Sequence, residues 1–168
     1  MTWVKEKIIL PKTIKPAERK KIAEVVINHI IDRSIAGYDK KNKKFPNYTK
    51  QYAEKKGVDV SEVDLLLSAE MLESIKLLSD KAGEITIGFD KSDQELNGKA
   101  EGNILGSYGR EPNKKKARDF LGIESDELEI LISAYQNELD EDEGREQLTE
   151  SEVKALSRAL AEDMLGDL

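Results

Sequence analysis

Apolar residues in this chain never gather into a long run: the longest stretches, such as Val25–Ile27 and Leu65–Leu67, are three residues long. A core must therefore be assembled from amphipathic elements, each lending one face. No segment reads as a membrane span or a secretory leader. Apolar residues make up 38% of the 168 and charged residues 36%, the latter well above the usual share of roughly a quarter. That balance supports a modest core and leaves much of the chain as solvated surface or polar interface.

The periodicities are mixed, which points to an α+β fold. Residues 1–15, weakly alternating and interrupted by Pro11, read as an extended arm or edge strand. Pro16 suits the first turn of a long helix reaching Ala36, where Ile22, Val26 and Ile30 form a stripe widened by Ile27 and Ile31, and Gly37 ends it. A short helix over Thr49–Lys56 closes at Gly57. Ser68 caps a helix from Ala69 to about Leu77, with Met71, Leu72 and Ile75 inward. Ile85, Ile87 and Phe89 alternate with Thr86 and Gly88, the period of a half-buried strand, and Lys76–Ser79 can pair with it across the turn at Gly83. Asp93–Leu105 reads as a helix despite Gly98 and Gly102, and Ala117–Gly122 as a short strand. Leu128, Leu131, Ile132, Tyr135 and Leu139 mark a further amphipathic helix. After an acidic linker, Thr149 with Glu152 and Leu148 with Val153 form a capping box and a staple for a last helix, whose stripe is Val153, Leu156, Leu160 and Met164. The expected architecture is an antiparallel sheet of about three or four strands flanked by helices. The division is an α+β domain over residues 1–139 and an acidic linker with C-terminal helix over 140–168.

Charge is polarised along the chain. Residues 1–60 carry 15 basic and 7 acidic groups, residues 61–122 carry 9 and 12, and residues 123–168 carry 3 and 15, giving the net −7. Such a chain can attract its own copies head to tail or sit between partners of opposite sign. Two solvated faces of a monomer are the simpler alternative.

Residues that would carry chemistry are sparse. There is no cysteine, hence no disulfide and no thiolate metal site. The lone histidine, His29, lies near the stripe of the first long helix and reads as a packed or interfacial residue. No G-x-S-x-G elbow and no G-x-G-x-x-G occur, and Phe89 stands where a phosphate loop needs lysine. Asp140, Asp142 and Gly144 mimic a calcium loop, but the glycine comes one position early and Ser151 occupies the place of the bidentate glutamate. The expectation is a non-enzymatic protein with no cofactor and no metal. Basic clusters at Lys40–Lys44 and Lys114–Lys116, with Tyr38, Tyr48 and Tyr108 near in sequence, leave a nucleic-acid-binding alternative through the basic N-terminal half.

Four segments, read in order, resemble the phage virion-morphogenesis family, also described as tail-completion or neck proteins. They are I-I-D-R-S-I-A-G-Y-D-K-K-N-K-K-F-P-N-Y-T-K-Q-Y-A over residues 30–53 and V-D-L-L-L-S-A-E-M-L-E-S-I over 63–75, in which Ala69 replaces the family's glycine. I-T-I-G-F over 85–89 and A-E-G-N…G-S-Y-G…A-R-D-F-L-G-I within 100–123 complete the set. The likeness covers about Pro11 to Ile132 and leaves the last acidic helix unmatched. It implies a virion protein made in the host cytoplasm that forms a ring of roughly six or twelve copies. The ring would contact other neck, portal or tail proteins and would let DNA pass through without binding it. No membrane is involved. Candidate interface residues are Asp39, Lys43, Lys44, Phe45, Tyr48, Tyr108, Arg110, Lys114, Lys115, Arg118, Leu156 and Leu160. Of these, Phe45 and Tyr48, like Tyr52, read first as loop aromatics anchored in the core and second as docking residues.

Overall fold

The computed structural model describes residues 2–63, 69–107, 110–141 and 150–166. The elements in chain order are β1 (Lys5–Ile9), α1 (Pro16–Ile35), α2 (Lys50–Lys56), α3 (Ala69–Glu73), β2 (Lys76–Lys81), β3 (Glu84–Gly88), α4 (Gln94–Leu105), α5 (Ser125–Glu141) and α6 (Glu150–Gly166). The fold is α+β, with a three-stranded antiparallel sheet in the order β1-β3-β2.

The alternation of β3 places it at the centre of the sheet. Ile85, Ile87 and the following Phe89 are fully buried, while β1 and β2 form the edges. Ile8 stands opposite Ile85 on β1, and β2 carries a register shift between Leu77 and Ser79. Gly88 is required by the close approach of the β1 end: a Cβ there would lie 2.4 Å from the Val4 carbonyl oxygen.

Helix α1 is the hub. Its buried residues, from Ile22 through Ser34, cover more than one face because it packs on the sheet, on α5 and on α6. Arg19 pairs with Asp80 of β2, His29 meets Glu127 of α5, and Val25 accepts a 3.0 Å hydrogen bond at its carbonyl from Ser157 of α6. At its start the Glu18 carboxylate accepts from the Lys15 N–H at 3.4 Å. At its end Gly37 takes φ +97°, and a Cβ there would meet the Val63 carbonyl oxygen at 2.5 Å. The chain therefore turns under residue 63, where no side chain fits.

Several expectations hold. Helix α2 begins at Thr49, whose hydroxyl accepts from Tyr52 N–H at 3.2 Å, and closes at a left-handed Gly57. The hairpin of β2 with β3 forms, and Asp93 caps α4. Two expectations are corrected. The helix expected to reach Leu77 stops at Glu73, because Lys76 and Leu77 are already paired with β3; Met71, Leu72 and Ile75 are buried all the same. Residues 117–122 are not a strand. Two of their carbonyls go to a side chain instead of a neighbouring strand: Arg33 Nη2 donates to Phe120 O at 2.6 Å and to Gly122 O at 2.9 Å.

Helix α6 lies on α1, and Val153 joins the main core. Its most buried line is Val153, Ser157 and Ala161, with Leu156 and Leu160 partly buried beside it. The expected roles of Leu65–Leu67, Ser68, residues 142–149 of the calcium-like stretch, Leu148 and Thr149, and the side chains of Leu139, Asp140, Ser151, Glu152 and Met164, lie outside the described residues.

Candidate functional site

The basic loop after α1 is shaped by Asp39. Its carboxylate accepts from the N–H groups of Lys41 and Lys43, both at 2.9 Å, and its own N–H donates to Lys43 O at 2.8 Å. Asp39 thus closes the loop on itself, an Asx-type turn, and leaves Lys43 and Lys44 exposed at its closing end, where Lys44 bridges Tyr38. Phe45 and Tyr48 then sink into the core at 2% and 7% exposure, whereas Tyr52, one turn into α2, stays 47% exposed.

Tyr48 and Tyr52 line a cavity of about 330 Å³ whose wall also includes Pro46, Asn47, Thr49, Lys116 and Arg118. The Tyr48 and Tyr52 rings meet at 4.8 Å with a 59° tilt. The Arg118 guanidinium stands 5.1 Å from the Tyr48 ring, and Lys56 reaches within 4.8 Å of it while donating to the phenol oxygen at 2.8 Å. The fold thereby brings residues 46–52 against Lys116 and Arg118, which are distant from them in sequence. Among the described residues no carboxylate lines this cavity. Its chemistry is cationic and aromatic, suited to an anionic group carried on an apolar or planar body.

Of the remaining candidates, Arg110, Lys114 and Lys115 are exposed on the loop leading to Lys116. Leu156 and Leu160 lie away from the cavity, against the core side of α6. Tyr108 lies outside the described residues. Lys116 belongs to the basic cluster that the sequence marks, whereas Asn47, Thr49 and Lys56 are not among the candidates drawn from it. Lys56 was within reach of it, since Tyr52 and Lys56 share one helix face at four-residue spacing.

A second polar feature is wholly interior. His29 and Arg33 are fully buried on α1, and Glu127 is 6% exposed. Glu127 accepts from His29 Nε2 and, at 2.8 Å, from Asn42 Nδ2. Burial pushes its carboxyl up, but the bonds from His29 and Asn42 and the charges of His29 and Arg33 outweigh that and hold it below the ordinary glutamate range. The Arg33 guanidinium is pulled down to about 10 by burial, against the opposing pull of Glu127, Asp39 and Asp119, so it remains charged at neutral pH. This cluster binds α1, the basic loop, residues 120–122 and α5 together.

Two further surfaces complete the inventory. Beside β1, a cavity of about 310 Å³ includes Glu6, Lys40 and Asp119 in its wall. Lys40 pairs with Asp119 at 3.0 Å, and Glu6 is raised by burial and by Asp119 against the pull of Lys40. One ammonium thus balances two carboxyls, a structural ion cluster holding the outer side of β1 to residue 119. Along α1, a groove of about 710 Å³ is floored in part by Ile27, Ile31 and Leu77 and edged by Lys154 and Arg158 of α6. Among the described residues no three His, Asp or Glu side chains are grouped to hold a metal ion, and no helix is long and apolar enough to cross a membrane.

Compared with protein-family models, curated proteins and solved structures, the chain matches none of them.

Proposed function

We propose that this chain is a non-enzymatic structural subunit of a tailed-phage virion, one copy of a ring in the neck or at the tail terminus through which DNA passes. The observation that carries the reading is that the segments resembling virion-morphogenesis proteins form one interlocked unit. Arg33, in the first segment, grips the carbonyls of Phe120 and Gly122 in the fourth, and both segments wall the Tyr48–Arg118 cavity. Charge polarity supports it: a ring subunit must present unlike surfaces to its two neighbours, and this chain is basic over 1–60 and acidic over 123–168. The deciding experiment is light scattering of the purified protein together with electron microscopy and mass spectrometry of virions. A ring-sized mass and a place on the virion axis are expected; a strict monomer absent from purified particles overturns the reading.

The cationic, aromatic cavity also favours a second reading, single-stranded nucleic-acid binding by stacking on Tyr52 between lysines. Binding of this kind weakens steeply with salt. An oligonucleotide titration that shows no binding at low salt removes it.

A further inference from the structure

We infer that the Tyr52 cavity is the socket for a second copy of this chain, and that the plug is the outer face of α5 around Ile130. This rests on the ring reading and names its contact. Ile130 is 56% exposed, among the described residues the most exposed large apolar side chain on the helices, and it sits on α5 beside exposed Asp126 and Glu129. On the other side, Tyr52 is 47% exposed beside Lys116 and Arg118. Each patch is a single apolar anchor flanked by charges, and the signs are opposite. An isoleucine set against a phenol ring, with two carboxylates reaching a lysine and an arginine, is the arrangement of an apolar contact inside a charged rim.

The two patches belong to different elements, and among the described residues none of α5 lines the cavity. A contact between them in two copies is therefore heterologous, head to tail. Contacts of that type close into rings or run on as filaments, whereas a self-complementary patch stops at a dimer. The remaining polarity acts in the same sense: residues 123–168, which carry the plug, hold 15 acidic groups against 3 basic ones, and the exposed Lys114 and Lys115 directly precede Lys116 of the socket in the chain.

The test is a charge swap in the full-length protein, followed by sedimentation velocity over a range of concentration and salt. Lys116→Glu and Glu129→Lys are both at exposed positions, and unchanged melting temperatures establish that each variant folds. Each alone is expected to raise the concentration for half-association by about tenfold or more at low salt, and Ile130→Ala to weaken association as well. The double variant K116E/E129K restores an opposite-sign pair and recovers most of the parent's association. Three outcomes overturn the inference. If the parent associates but ignores both single changes, or the double variant is no better than either single one, the contact lies elsewhere and the ring reading stands. If the parent stays monomeric at low salt, the socket fails, and the presence or absence of the protein in virions then decides the ring reading separately. If the parent retains a labelled single-stranded oligonucleotide that Lys116→Glu releases, without self-association, the cavity belongs to nucleic acid.

Discussion

Arg33 shows how a charged residue becomes a structural one. It is fully buried, and one of its nitrogens serves two carbonyls of a segment that has no strand partner. Removing it leaves those carbonyls dry and unbonded, and removes the positive charge facing Glu127. Arg33→Met is expected to cost about 3 kcal/mol in urea unfolding. Arg33→Lys recovers part of that loss, because it keeps the charge and one ammonium can donate to both carbonyls as the single guanidinium nitrogen does. Glu127 gives a pH signature. Its folded-state affinity for protons is lower than in the unfolded chain, so its stabilisation is complete above the ordinary glutamate range and is lost as pH falls through the folded value. Stability measured in urea therefore declines on acidification below about pH 4. In Glu127→Gln the neutral-pH stability is lower and that decline is shallower. Asp90, held low by Ser92 and Lys76, adds an acid limb of its own, so the difference between parent and variant isolates Glu127. An equally steep decline in the variant would show that the interior pair contributes nothing to acid sensitivity.

Among the elements, α6 makes the most specific claim, because its packing selects small residues. Ala161 is 1% exposed and in line with Ser157, which bonds to the backbone of α1, so the two helices meet where no larger side chain fits. Ala161→Leu is expected to destabilise by about 1–3 kcal/mol through overpacking, while Ala159→Leu, at an exposed position of the same helix, stays within about 0.5 kcal/mol. Thermal melts of the pair check this, and equal effects would mean that α6 does not dock on α1 as described. The same helix shows what a sequence can and cannot tell. Period and punctuation sufficed for α1 between Pro16 and Gly37, for α2 between Thr49 and Gly57, and for the Ile85–Phe89 strand, since each is decided by neighbours within a few residues. They failed where the deciding partner is remote. The β3 strand claims Lys76 and Leu77 before α3 can extend, and Arg33 takes the carbonyls of residues 120 and 122. The buried line of α6 runs through Ser157 and Ala161, residues that no hydrophobicity pattern selects. The interior pair was equally hidden, because His29 and Glu127 are 98 positions apart. Tyr48, Tyr52 and the Lys114–Lys116 cluster are legible in the sequence, but the cavity that Tyr48, Tyr52, Lys116 and Arg118 wall together is not.

At the scale of the molecule, the question is whether residues 140–168 form an appendage or part of the fold. The hydrophobic cluster runs without a break from Ile8 on β1 to Val153 on α6, and α1 lies between them. Helices that share a hub lose their partner when it unfolds, so the chain is expected to unfold as one cooperative unit. Two probes report on its opposite parts. Trp3, the single tryptophan, donates to Phe89 O at 2.8 Å and has Lys5 at 3.9 Å from its ring, so its fluorescence follows the β1–β3 end of the sheet. Far-ultraviolet circular dichroism follows the helices, α5 and α6 prominent among them. The two urea transitions should coincide in midpoint and slope. An early loss of helical signal while Trp3 fluorescence keeps its folded value would mean that α6 detaches first, making the acidic end a separable module. Coincidence would mean that this end is held through α1, so that a neighbouring copy docking on α5 meets a surface that is already rigid and gives up little conformational freedom on binding.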